Sequence, residues 1–150
     1  MSDMYYSRLA VDLIITRIYN GKKEILMQLR QNTGYMDNMY EPACGGHVEN
    51  GESFIKTIIR EAKEEIGIEV KEENLKFLSL YHSYKTDHVL LFFTADKYNG
   101  IPAILEPEKD GGLKWFDIEN LPENTIPYLP QILEGLKHEI RYYDNDTINI

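Results

Sequence analysis

The chain has 150 residues, 43% hydrophobic and 27% charged, with a formal charge of −9 at pH 7. This is a soluble globular composition with enough length for a real core, and its acidity argues against a broad grip on nucleic acid or an anionic membrane. No run approaches the roughly 18 apolar residues of a membrane span, MSDMYYSR lacks the regions of a signal peptide, and the single cysteine, Cys44, rules out an intrachain disulfide; the expectation is one cytoplasmic domain over 1–150 with no membrane partner.

Residues 6–19, YSRLAVDLIITRIY, are rich in β-branched and aromatic side chains, and Asn20-Gly21 follows them. Residues 24–30, EILMQLR, resume the apolar pattern, so the two runs predict a β-hairpin around Asn-Gly. The loop 31–41, QNTGYMDNMYE, offers Tyr35, Met36, Met39 and Tyr40, either to stack on a base or to cover the core edge. Arg30 ends the second strand, where its planar fork suits a phosphate or, alternatively, a surface carboxylate. Cys44 reads as a small buried residue, with a reactive thiol as the alternative.

From Phe54 the apolar residues Phe54, Ile55, Ile58, Ile59, Ala62 and Ile66 fall within an arc of roughly 140° on a helical wheel, the stripe of an amphipathic helix. Ser53 is its predicted N-cap and Gly67 its left-handed C-cap, while Gly51 allows a turn before it. Glu61, Glu64 and Glu65 gather within about 100° at the rim of the buried face. They repel one another at i,i+3 and i,i+4, so Arg60 or a hard divalent cation is expected to compensate; a solvated glutamate face is the alternative.

Beyond the helix, residues 68–70 and 75–84 predict strands separated by a charged turn at 71–74. HVLLFFTA at 88–95 reads as a strand buried on both faces, at the centre of the sheet. His82 and His88 are candidates for acid-base roles against a structural reading. Residues 99–112 form an acidic loop with prolines and glycines, 113–117 a strand, and 128–142 a packing helix with Leu129, Ile132, Leu133, Leu136 and Ile140 at helical spacing. The tail 144–150 carries no signal.

Gly46, Glu52, Arg60, Glu61, Ala62, Glu64, Glu65, Gly67 and Ile68 stand at the spacings of G-x5-E-x7-R-E-U-x-E-E-x-G-U, with U apolar. In this the chain resembles the Nudix hydrolases; alanine at the first U is a mild departure. Ala43 and Cys44, standing between Pro42 and Gly45, are another, since a Leu-Pro pair more commonly precedes Gly-Gly directly. The resemblance implies that Glu61, Glu64 and Glu65 bind magnesium or manganese, that the Gly46 carbonyl adds a ligand, and that Glu52 and Arg60 form a bridge. Eight residues span about 12 Å of continuous helix, so that bridge requires Glu52 to sit in a loop folded back on the helix. Arg30 and the NTGY run containing Tyr35 are similar to those of small Nudix proteins that act on nucleoside triphosphates, which leans Arg30 toward phosphate. A loop acid outside the box is also implied, with Glu108 ahead of Glu106.

The fold implied is an α/β/α sandwich, with a mixed curved sheet between the box helix and the C-terminal helix. The reaction implied is metal-dependent hydrolysis of a pyrophosphate bond, with Glu61, Glu64 or Glu108 as base. A nucleoside triphosphate, oxidised or otherwise noncanonical included, is the first substrate expectation, giving monophosphate and pyrophosphate. ADP-ribose or another nucleotide sugar is the enzymatic alternative, and a nucleotide-binding sensor without turnover the non-catalytic one. The acidic surface speaks against action on the 5′ end of RNA. A homodimer stays open, as many Nudix proteins dimerise.

Overall fold

The computed structural model describes residues 3–148. Its elements are β1 (Arg8–Tyr19), β2 (Lys22–Arg30), β3 (Tyr40–Pro42), β4 (Cys44–His47), α1 (Phe54–Ile66), a 3-10 turn (Glu72–Asn74), β5 (Lys76–Ser83), β6 (His88–Ala95), β7 (Asp110–Asp117), α2 (Leu129–His138) and β8 (Tyr142–Asp144). The sheet order is β3-β2-β1-β6-β5-β8, with β4 also paired to β1 and β7 to β2. It is mixed: β1 runs parallel to β6 and antiparallel to β4 and β2.

The hairpin forms where Asn-Gly predicts it. Asn20 and Gly21 both have positive φ, 51° and 75°, as a two-residue type I′ turn requires. β1 then changes partners along its length, pairing with β4 over Ala10–Leu13 and with β2 over Thr16–Tyr19.

Alternation along β1 and β6 divides the core into two layers. Val11, Leu13, Ile15, Leu91 and Phe93 pack under Ile58, Ala62 and Ile66 of α1. On the other face Ile14 and Phe92 pack with Leu129, Ile132 and Leu133 of α2. Each fully buried side chain of this size contributes about 1.5–3 kcal/mol, and the two layers make the expected α/β/α sandwich. β6 is buried on both faces as expected, though it shares the centre of the sheet with β1.

Two expectations need correction, and one stretch without a sequence signal is structured. Residues 68–70 form no strand: only Glu69 bridges, to Asn99, while Ile68 and Val70 are buried as the chain leaves α1. The C-terminal helix stops at His138, because Glu139 takes a left-handed conformation, φ 53°. Ile140 is therefore exposed instead of packing. The tail is also structured: Tyr142–Asp144 adds a parallel strand to β5, with Tyr143 buried and its hydroxyl donating to the Gln131 carbonyl at 3.1 Å.

Candidate active site

Both ends of α1 are capped as its sequence dictates. Ser53 Oγ accepts from the Lys56 N–H at 3.1 Å. At the far end Gly67, φ 70°, donates to Lys63 O and Ile68 to Ala62 O, at 3.2 and 3.3 Å, a Schellman closure. The helix is thereby fixed in length, and Glu61 projects against β4. A Cβ on Gly46 would lie 2.5 Å from Glu61 Oε1, so glycine at this position is what lets the carboxylate rest on the β4 backbone.

Glu52 does fold back. Arg60 donates Nε to Glu52 Oε2 at 2.7 Å and Nη2 to Oε1 at 3.0 Å, a two-pronged bond. Glu52 Oε1 also accepts from the Glu49 N–H and the Thr57 hydroxyl, both at 3.0 Å, so this carboxylate ties the loop to the first turn of α1. The Arg60 bond holds the Glu52 carboxyl down at about 2. Arg60 Nη1 then reaches Glu61 Oε1 at 2.8 Å and Glu64 Oε2 at 3.2 Å, so it offsets the repulsion expected among the glutamates. Among the described residues no three His, Cys, Asp or Glu side chains are closed into a ready ligand set, since Arg60 draws two of the three glutamates to itself.

Glu65 is half-buried. Burial first, then the hydrogen bond and charge of Glu61, then the charges of Glu41 and Glu106, push its carboxyl far above the carboxylate range. Gln28 of β2 links the groups, its Nε2 lying 3.2 Å from Glu41 Oε1 and 3.5 Å from Glu65 Oε2. Of the two loop acids, Glu106 is the one whose charge acts on Glu65. Glu108 is exposed, and its carbonyl accepts from Asn32 at 3.1 Å.

Arg30 is engaged rather than free. Nη1 bonds Glu41 Oε2 at 2.7 Å, Nε the Tyr35 carbonyl at 2.7 Å and Nη2 the Thr33 hydroxyl at 3.0 Å. Its guanidinium also lies 5.4 Å from the Tyr35 ring centroid. The ion-pair alternative is thus realised, although two of its five N–H groups remain for a ligand. Tyr35 itself is exposed, while Met36 and Tyr40 pack against the core.

Several groups near this cluster were not singled out by motif. Asp12, the one acid in an apolar stretch of β1, lies deep in the molecule while keeping some contact with solvent. Burial and the charge of Glu41 push its carboxyl up to about 8, with Arg30 opposing. Glu41 is half-buried and Tyr128 buried, and both are raised chiefly by desolvation. The lone charge within LAVDLII was the available sequence signal for Asp12; Glu41 and Tyr128 had none.

Cys44 is buried and its thiol is pushed well up, first by burial, which favours the structural reading. His88 Nδ1 donates to Thr86 O at 2.9 Å, and its Nε2 stands 3.3 Å from His47 Nε2. His82 packs beside Tyr5 and Tyr84. A groove of about 830 Å³ between the hairpin tip and α2 shares no residue with the glutamates; its Lys22 and Lys137 already face Asp117 and Glu119.

The NUDIX domain model matches residues 8–136 of the chain. NAD-capped RNA hydrolase NudC of Pectobacterium atrosepticum is 31% identical over 125 residues, which cover 83% of this chain and 45% of NudC. The uncharacterized Nudix hydrolase YvcI of Bacillus subtilis is 35% identical over 88 residues, 53% of this chain and 54% of YvcI. The chain spans about half the length of these curated relatives. Among solved structures, the MutT Nudix hydrolase of Burkholderia pseudomallei has a TM-score of 0.73 at 24% identity, over 85% of this chain and 95% of that one, a likeness of fold. With the box residues assembled on and around α1 and the domain model spanning most of the sequence, the chain belongs to the Nudix hydrolase family.

Proposed function

We propose that the chain is a divalent-metal-dependent hydrolase that cleaves the pyrophosphate linkage of a nucleoside triphosphate, releasing monophosphate and pyrophosphate. The observation that carries this reading is the set of three glutamates on one edge of α1, two of them half-buried, latched by the Glu52–Arg60 bond. A hard cation prefers oxygen donors, and a half-buried carboxyl crowded by like charge is stabilised by one. The donor set therefore fits magnesium or manganese, with Glu61, Glu64, Glu65 and the Gly46 carbonyl as the groups that would hold it.

When bound, such an ion neutralises phosphate oxygens and activates water. The chain supplies the rest. Arg60 keeps the loop against α1 and orients Glu61 and Glu64. Gln28 and Glu41 restrain Glu65 from the β2 side. Arg30, with its two spare N–H groups, and the exposed Tyr35 ring form the rim over which a nucleotide would lie. Glu61 and Glu64 are candidates to take the proton from water, and Glu106 takes over from Glu108 as the loop candidate.

A second reading has a specific observation behind it. The similarity to NAD-capped RNA hydrolases favours a dinucleotide linkage of the NAD type, free or at an RNA 5′ end. Products are resolved chromatographically over nucleoside triphosphates, oxidised triphosphates, NAD, ADP-ribose and NAD-capped RNA, with magnesium or manganese and with chelator: a triphosphate gives monophosphate and pyrophosphate, whereas an NAD-type linkage gives two phosphomonoesters. Metal-dependent turnover of triphosphates is expected. Turnover of NAD-type linkages alone would replace the first reading by the second, and nucleotide binding without turnover of any substrate would make the protein a sensor.

A further inference from the structure

The turn that carries Glu106 is anchored on both sides of that residue, to two different elements of the fold. On one side Leu105 donates its N–H to the Glu65 carbonyl at 3.0 Å, and Ala103 donates to the Ile66 carbonyl at 3.0 Å. The last carbonyls of a helix have no partner within it. Gly67 and Ile68 serve those of Lys63 and Ala62, and this loop serves those of Glu65 and Ile66. Leu105 also lies against the cap, since a Cβ on Gly67 would stand 3.3 Å from Leu105 Cδ1.

On the other side the turn is held from the end of β2. Gln31 donates its side-chain Nε2 to the Pro107 carbonyl at 2.6 Å and its backbone N–H to the Lys109 carbonyl at 3.0 Å. The turn then closes on itself, the Lys109 and Asp110 N–H groups both donating to the Glu106 carbonyl, at 3.1 and 3.0 Å. Asp110 is buried opposite Arg30 in the β2–β7 ladder. A Cβ on Gly111 would lie 2.9 Å from Gln31 Oε1, so the glycine leaves the amide room to lie along the turn. Glu106 is half-buried between the two anchors, whereas Glu108 lies beyond them and is exposed.

A side chain whose neighbours before and after are both bonded has its Cα and its direction fixed, and the ring of Pro107 removes the φ freedom next to it as well. We propose that Gln31 is a positioning residue for hydrolysis: by holding the Pro107 carbonyl it fixes Glu106 at the end of α1, beside Glu65. This rests on the hydrolase reading above, with Glu106 as its loop acid. The anchor on the far side is the backbone of Glu65 itself, so the loop acid and the metal edge share one rigid frame. Gln31 also adjoins the nucleotide rim, because Arg30 precedes it and pins the following run through the Thr33 hydroxyl and the Tyr35 carbonyl.

The test is a double-mutant cycle on kcat, with magnesium and whichever substrate the product assay identifies, over the wild type, Gln31→Met, Glu106→Gln and the double variant. Gln31→Met keeps the length of the side chain without its donor, and it is expected to lower kcat by about tenfold while KM stays within about twofold. In the Glu106→Gln background the same change is expected to cost less than about twofold, because the group being positioned is gone. Gln31→Glu also lacks the donor and is expected to repeat both results. A bond that merely stabilised the loop would lower the melting temperature and multiply with the Glu106 loss, to about a hundredfold in the double variant. That result, or an unaltered kcat in Gln31→Met, would overturn the assignment. Should the wild type hydrolyse none of the substrates, the hydrolase reading fails instead, and magnesium affinity by titration calorimetry carries the same cycle. A loss of about threefold or more on Gln31→Met that vanishes in Glu106→Gln supports the role of Gln31, and an equal loss in both backgrounds, or none, overturns it.

Discussion

Arg60 holds Glu52 through two bonds of 2.7 and 3.0 Å although eight residues separate them. The same guanidinium reaches Glu61 and Glu64. One side chain thus sets both the loop and two of the three glutamates. Arg60→Lys keeps the charge but has no planar fork, and it is expected to lower kcat by about 10- to 100-fold through misplacement of the carboxylates. Steady-state kinetics with circular dichroism check this; unaltered kcat would mean that the latch does not position the site.

The pH dependence of that latch has a defined sign. The Glu52 carboxyl is depressed to about 2 from an ordinary 4.5, so its contribution to stability is fully present above about pH 4.5. It is lost as pH falls from there through about 2. The melting-temperature gap between the wild type and Glu52→Gln is expected to be constant from pH 5 to 8, and to shrink progressively below about pH 4.5. A gap that persists unchanged at pH 2.5 would assign the effect to packing.

The two adjacent glycines are expected to respond differently to alanine. At Gly46 the new Cβ meets the Glu61 side chain, 2.5 Å away, which is able to swing aside. The fold survives and metal-dependent activity falls by about tenfold or more. At Gly45 it meets the Val11 carbonyl at 2.6 Å as well as Asp12. Backbone has to move there, at a cost of about 1–3 kcal/mol. Thermal melts of Gly45→Ala and Gly46→Ala distinguish the two, and equal destabilisation would contradict this contrast.

Glu65→Gln replaces a half-buried, crowded carboxyl by a neutral isostere. Most metal-dependent turnover is expected to disappear while the protein without metal melts at or above the wild-type temperature, because the amide spares the folded state the cost of desolvating and neutralising an acid. Magnesium is expected to raise the melting temperature of the wild type by linkage and to do so much less in the variant. An undiminished magnesium shift would move the metal site elsewhere.

Glu106 and Glu108 separate the loop's contribution. The charge of Glu106 is among those that act on Glu65, whereas Glu108 is exposed, so Glu106→Gln is expected to reduce kcat by about tenfold or more and Glu108→Gln by less than about twofold. The reverse order in parallel assays would restore Glu108.

Much of this molecule was legible in its sequence, for reasons tied to local physics. Asn20-Gly21 specifies the hairpin by its φ angles, Ser53 and Gly67 bound α1 through backbone hydrogen bonds, and the apolar stripe from Phe54 to Ile66 fixes which face is buried. The spacing of Gly46, Glu52, Arg60, Glu61, Glu64 and Glu65 determined the family and the candidate chemistry, since helical periodicity alone places the glutamates on one edge. What tertiary structure decided depends on partners far apart in the chain. Tyr142–Asp144 becomes a strand only because β5 offers an open edge. Arg30 turns to Glu41 because β2 and β3 are neighbours. Asp12, one acid in an apolar strand, becomes half-buried only because β4 and β6 flank it, opposite Gly45 and Phe92, a condition set by long-range packing and by no local spacing.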